Sequence, residues 1–264
     1  MGLMRLAAQQ RETVVETYRR LIPQRAFEAV QQMDLIGDDV SAGAEGRAFR
    51  IITQPTHEAH LRVPARRVGG DFAFSLDLEE AGAGQLRLSF IVINDLAAPR
   101  YDIDVDAAGN LTLLGTAGRN LDAELAAMHA GLGPCQVRKG LRMFAELLPR
   151  LESFAQQHGY VAIVLEPLTY HNAVMYENYG FAYVRGHKRM QMIDAAFSPG
   201  GALHQAMDGS TPFRQPQAAG DARGRSWAIH DGVLEHLDGD THLNMEMVKV
   251  VGQMAKQHTF TGTW

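Results

Sequence analysis

The spacing of apolar residues changes several times along this chain. Val14, Tyr18, Leu21 and Ile22 make one stripe at three- and four-residue steps, and Ala26, Phe27, Val30 and Met33 make another. That is the period of helices with one buried face, and Pro23 between the stripes, having no N–H to donate, predicts two helices within 3–34. Such a stripe can pack on the molecule's own sheet or against a second copy of the chain, as a homodimer. Residues 37–46, rich in Gly, Ala and Asp, read as a connection. From about 47 to 114 the period shortens to two. Runs at 49–52, 72–76, 86–93, 101–105 and 111–114 read as strands, with turn residues at 69–70, 82–84, 95–99 and 107–110, which together predict an antiparallel meander. Helical spacing returns over 139–157 through Leu141, Phe144, Leu148, Leu151 and Phe154, with a kink expected at Pro149 and a stop at Gly159.

The segment from Tyr160 to Gly186, YVAIVLEPLTYHNAVMYENYGFAYVRG, then reads as strand, short helix and strand. Val161 to Leu165 have the length of a buried strand, and Glu166-Pro167 ends it. Asn172 is a good N-cap for about two turns ending at Asn178, and Gly180 can take the left-handed conformation that closes a helix. Beyond Asp194, Ser198-Pro199-Gly200-Gly201 is a break, 202–207 a short helix and 209–225 an irregular polar stretch. Leu243, Met247, Val250, Val251 and Met254 predict a final helix. The element order predicts a mixed α/β, α+β-like fold: a central mixed sheet flanked by helices, with a helical N-terminal and an irregular C-terminal extension.

Composition narrows the setting. A chain of 264 residues with 46% hydrophobic residues can bury a full core. The net charge of −5, without long blocks of either sign, argues against broad binding to nucleic acid or anionic membrane. No apolar run approaches the roughly 20 residues that cross a bilayer. Cys135 is the only cysteine, so an internal disulfide is excluded and a reducing, cytoplasmic setting is expected.

The arrangement N-A-x-x-Y-E-x-x-G-F after a strand, Asn172 to Phe181, resembles the C-terminal half of the GNAT (GCN5-related) N-acetyltransferase family, whose usual form is N-x-x-A-x-x-x-Y-E-x-x-G-F. The match covers about thirty residues, and Ala173 directly after Asn172 is a departure from it. The resemblance implies a GNAT-like core at 46–195, with extensions at 1–45 and 196–264. It implies acetyl-CoA, or another acyl-CoA, as co-substrate and direct attack by a small-molecule or peptide amine. In that scheme Asn172 contacts the pantetheine arm, Leu165 and its strand amides meet the thioester, Glu166 meets the substrate, and Tyr176 protonates the departing thiolate.

The family's diphosphate loop, Q/R-x-x-G-x-G/A before the long helix, falls here on GLGPCQVRKGLRMF, 131–144. With Gly140 as the first motif glycine, Val137 replaces the Gln or Arg, Arg142 replaces the second small residue, and Gln136 comes one position early. Arg138, Lys139 and Arg142 can deliver positive charge by side chain in place of backbone donors, or they form a solvated basic turn. A second glycine turn at 115–120 is the weaker alternative for phosphate.

Three other groupings carry chemistry. Asp102, Asp104 and Asp106 alternate, which on a strand would crowd three carboxylates on one face; Asp104 is then a general-base candidate, against a solvated edge strand. His171 beside Asn172 can relay a proton or simply start the helix. His57 and His60 form an H-x-x-H pair, but no histidine spacing matches a zinc signature, so no metal is expected. Two further readings remain beside acyl transfer: a non-catalytic relative that binds a ligand or partner through the same fold, and a metal-dependent enzyme using the Asp or His groups.

Overall fold

The computed structural model describes residues 2–31, 49–54, 57–64, 66–82, 84–115 and 117–262; the connection expected at 37–46 lies outside them. Among the described residues, seven strands form one open mixed sheet in the order β1-β2-β3-β4-β5-β7-β6, accompanied by nine helices, an α/β architecture. Packing divides the chain into two units. The first holds Met1–Pro99, Lys139–Leu165 and Val248–Gln253; the second holds Arg100–Arg138, Glu166–Met247 and Met254–Trp264.

The first unit opens with α1 (Leu3–Ala7), α2 (Arg11–Arg19) and α3 (Gln24–Gln31), three helices where the stripes predicted two. The additional break falls at Gln10, whose ψ of 140° leaves the helical region, while Pro23 precedes α3 as its missing N–H requires. Four antiparallel strands follow, β1 (Arg50–Gln54), β2 (Glu58–Val63), β3 (Phe74–Ala81) and β4 (Gln85–Ile93). β2 was not among the expected strands. Its inward positions Ala59, Leu61 and Val63 alternate cleanly with Glu58, His60 and Arg62, so the run is only half apolar and short.

Register assigns the two faces. Ile51, Leu61, Leu76 and Ile91 form one rung on the buried side, and Ile52, His60, Asp77 and Phe90 form the next rung on the other. Between Leu78↔Leu88 and Asp77↔Phe90 the register shifts, so Ser89 has no opposite number on β3 and makes a β-bulge. An unbulged β4 would carry Phe90 on the face of Leu86 and Leu88. The extra residue hands that face to Ile91 and Ile93 and turns Phe90 to the opposite side, where it is 45% exposed.

α5 (Phe144–Gln157) begins later than its apolar spacing suggested, because Arg142 takes a left-handed φ of 55°. It buries Leu147, Leu151 and Phe154, with the Phe154 ring 5.6 Å from Tyr18. β5 (Ala162–Leu165) is buried at every position. The expected final helix is instead β7 (Glu246–Val250), whose last three residues belong to this unit. Lys249 occupies an inward position at 2% exposure, its Nζ donating to the Gln253 carbonyl at 2.6 Å, and a lysine there disguised the two-residue period.

In the second unit the expected strands 101–105 and 111–114 are absent apart from one bridge, Val105↔Leu111. Side chains take the backbone groups a ladder would use: the Asp106 carboxylate accepts from the Ala108 and Asn110 amides, and the Asn120 amide donates to the carbonyls of Asp102 and Val105. The helices here are α4 (Leu121–His129), α6 (Tyr170–Asn178), α7 (His187–Phe197), α8 (Ala202–Ala206) and α9 (Ala222–His230), with β6 (Ala182–Arg185) as the edge strand. Trp227 and Phe213 stack at 5.3 Å in a cluster with Ile103, Ala127 and Leu132. Arg225, 4% exposed, lies between the Phe197 and Phe260 rings and donates to Asp194 at 2.6 Å and to the Ala219 carbonyl. Removing one partner of such a pair leaves an uncompensated buried charge. Asp194→Ala is therefore expected to cost about 3–5 kcal/mol, read as a lower urea midpoint, whereas replacing both partners by apolar residues recovers most of the loss.

Candidate functional site

In the first unit the candidate site is where β4 and β5 part. Their parallel pairing comprises only Gln85↔Ala162, Leu86↔Ile163 and Arg87↔Val164. β4 continues for six more residues, Leu88 to Ile93, whose β5-facing edge has no ladder partner among the described residues. Backbone amides and carbonyls along a strand edge without a ladder partner can pair with an added extended chain, which makes this edge the candidate site. The Ser89 bulge sits two residues past the last pair, Arg87↔Val164. It bends the strand and leaves backbone groups outside the ladder, an arrangement that can meet a developing oxyanion.

At the far end of that edge the chain returns. The Asp95 amide donates to the Lys139 carbonyl at 2.8 Å, and a Cβ on Gly140 would lie 3.0 Å from the Ile93 carbonyl oxygen, so the 139–142 loop is laid against the end of β4. Lys139 and Arg142 are exposed there, and Leu165 closes the neighbouring strand with its side chain buried. Two cations at the end of a strand edge without a ladder partner can hold a phosphorylated chain.

In the second unit α6 carries the motif residues. Its N-cap is Thr169, with φ −137° and ψ 161°, which corrects the expectation that Asn172 opens the helix; Asn172 stands in the first turn, half-buried. Tyr170, His171, Ala173 and Val174 all bury, so the core claims the turn earlier than the capping residue suggested. Tyr176 is 6% exposed, its ring tilted against Phe181 at 5.4 Å, and burial raises its phenol well above the ordinary tyrosine value. Glu177 accepts from the Tyr183 hydroxyl at 2.6 Å and from the Thr259 amide at 2.9 Å, so the motif glutamate fastens the C-terminal segment.

The remaining candidates are dispersed. His171 is 4% exposed; its Nδ1 lies 3.0 Å from both the Thr169 and Ser226 hydroxyls, and its Nε2 has no hydrogen-bond partner among the described residues. Gly133 lies so close to the ring that a Cβ there would stand 2.3 Å from Cε1. Burial, with the Arg223 charge second, pushes His171 down to about 3. A neutral, enclosed imidazole is a poor proton relay. The three aspartates do not share a strand face: Arg100 pairs with Asp102 and with Asp104, at 2.7 Å for the latter, and Asp106 caps its turn. Arg138 is half-buried, Glu166 is exposed, and burial pushes the Cys135 thiol up to about 12, with Glu124 contributing. No group of three or more His, Cys, Asp or Glu that could hold a metal, and no helix long and apolar enough to cross a membrane, occurs among the described residues.

Sequence reasoning missed the bulge, although the apolar neighbours Phe90 and Ile91 after the alternation of Leu86 and Leu88 signal a phase change. It had no access to Ser226, 55 residues from His171. Because His171 binds its proton far less readily folded than at the unfolded value near 6.5, stability is lost as pH falls from about 6.5 toward 3, by up to about 1.4 kcal/mol per pH unit. Urea midpoints measured across that range should fall for the native chain and fall less for His171→Gln. No family model, curated protein or solved structure matches this chain.

Proposed function

We propose that this protein transfers an acyl group from an acyl-CoA, acetyl-CoA in the first instance, to an amine. The observation that carries the reading is the bare edge of β4 from Leu88 to Ile93, opened by the loss of pairing after Arg87↔Val164 and bent by the Ser89 bulge. A pantetheine arm is an extended chain with two amides, and it can complete that edge as an added strand would. Lys139 and Arg142 at the Ile93 end suit the diphosphate, which orients the thioester toward the bulge. An amine aligned there attacks the carbonyl carbon directly, and free backbone N–H groups receive the negative charge on its oxygen.

The resemblance at Asn172 to Phe181 supports the same reading and assigns the thiolate's proton to Tyr176. Burial keeps that phenol protonated, the state a general acid needs, while making it a weaker acid than a free tyrosine. The enclosure of Tyr176 and the arginine in place of a glycine at 142 favour the second reading, a relative that binds acyl-CoA or another ligand without turnover.

Isothermal titration with acetyl-CoA discriminates between them: absence of binding removes acyl transfer and favours the second reading, with a ligand other than an acyl-CoA. Lys139→Ala with Arg142→Ala should weaken binding about tenfold or more through the lost charge-assisted contacts. Tyr176→Phe should lower turnover about 100-fold or more while changing acetyl-CoA binding less than twofold, and unchanged turnover ends the acid assignment.

A further inference from the structure

Between the N-terminal helices and α5 the first unit leaves a cavity of about 550 Å³. Its floor is buried and largely apolar, made by Leu6 of α1, Leu21 beyond the end of α2, and Phe154 and His158 at the end of α5, whose rings lie 4.4 Å apart. Its rim is polar: Thr17 and Arg20 stand on one side, and Arg150, Ser153 and Gln157 on the other. No carboxylate lines it among the described residues. Protein interiors are close-packed, with few voids larger than a water, so a hollow of this size is a matter of shape rather than of loose packing. Small-molecule pockets run from about 300 to 1,000 Å³ and share this make-up, apolar below with a few polar groups placed to orient a ligand.

The walls are fixed before any ligand arrives. α1 is tied to the sheet through its first amide, the Leu3 N–H donating to Glu80 Oε1 at 2.9 Å and to the Tyr160 hydroxyl at 2.8 Å. α5 is tied to the end of α2 across the mouth, where Arg150 Nη1 donates to the Arg20 carbonyl at 3.1 Å. Gln157 Nε2 donates to the Ser153 hydroxyl at 3.0 Å, and the hydroxyl's own proton has no acceptor among the described residues. The two cations are held loosely. Arg20 meets Glu16 through Nε alone, at 3.3 Å, and Arg150 Nη2 stands 3.9 Å from Glu146; both acids lie one helical turn from their arginine and outside the cavity lining. Solvated pairs of this kind are weak, so an anion in the mouth competes with them readily.

We infer that this cavity binds an aromatic carboxylate, its ring on the floor against Leu6, Leu21 and the Phe154 and His158 rings, and its carboxylate at the mouth accepting from the Arg20 guanidinium and the Ser153 hydroxyl. Aromatic rings favour the edges and faces of other rings as partners. The planar pair of Nη groups on Arg20, which has no protein acceptor among the described residues, matches the two oxygens of a carboxylate. An ammonium would meet Arg20 and Arg150 with the wrong sign, and a neutral head would leave the guanidinium to water. The cavity shares no residue with the edge of β4 or the 139–142 loop, and the inference does not rest on the acyl-transfer reading.

The test is isothermal titration of the full chain with 2-naphthoxyacetate, and with its neutral amide and the corresponding ethylamine, which keep the ring and change the head. The acid should bind one to one and about tenfold or more tighter than the amide, with the amine weakest. Raising the salt from about 0.05 to 0.5 M should weaken the acid several-fold and leave the amide unchanged. Arg20→Gln should bring the acid's affinity down to near the amide's without moving the amide's. Ser153→Trp, which fills the mouth from an exposed position, should abolish binding of both. Lys139→Ala with Arg142→Ala should change neither, since those cations stand at the end of β4. A native chain without affinity for the acid at about millimolar concentration overturns the inference, and so does equal affinity for acid, amide and amine. Binding that survives Ser153→Trp, or that is lost with Lys139 and Arg142, places the ligand elsewhere and overturns it too. Should Ser153→Trp fail to fold, judged by its urea midpoint, Gln157→Trp, exposed on the same rim, decides in its place.

Discussion

Backbone hydrogen-bond satisfaction in β4 is the constraint on which the functional reading depends. A strand buried in the middle of a sheet normally gives every amide and carbonyl to one neighbour or the other. Here β3 takes one edge along the whole strand, but β5 takes the other for three residues only. Ser89 then adds a residue that neither neighbour accommodates. The bulge lies two residues beyond the last β4–β5 pair: the edge is left bare because β5 ends at Leu165, and the bulge moves Phe90 onto the polar face beside it.

The motif of the second unit is used more for packing than its resemblance suggested. Glu177 holds residue 259, Gly180 presses so closely on Met254 that an added Cβ would meet the sulfur at 2.6 Å, and its φ of 79° is the left-handed turn that closes α6. Arg225 binds Asp194, whose carboxylate also accepts from the Thr261 amide and hydroxyl. The C-terminal segment is thereby clamped by charged groups with little exposure, and Tyr176 and His171 lie within a densely filled interior. The features bearing on function therefore divide: the opening and the cations at its end belong to the first unit, and the motif's buried residues stabilise the second.

Part of this was legible in advance. The β-α-β order at 160–186, the closing role of Gly180, the break at Pro23 and the helix α8 all follow from residue types whose backbone preferences are strong. The misses have a common physical origin. β2 alternated cleanly but over a short run with only three apolar residues, and at β7 the inward Lys249 weakened the apolar contrast of the two-residue period. At 101–114 the alternation was real, yet Asp106 and Asn120 spent the backbone's hydrogen bonds on turns. At α6 a good cap, Asn172, lost to burial of the preceding residues.

Sequence alone determined the element types wherever proline, glycine or an unbroken apolar run limits the backbone, and it located the basic residues at 138–142 and the tyrosine-glutamate pair, because those are properties of neighbours along the chain. Tertiary structure decided which polar groups are reachable. It enclosed His171 and Tyr176, tied Asp104 to Arg100, exposed Phe90 and set His60 against Asp77. Those outcomes depend on strand register and on contacts between residues far apart in the chain, where one inserted residue exchanges the two faces of a strand, and no local preference encodes that.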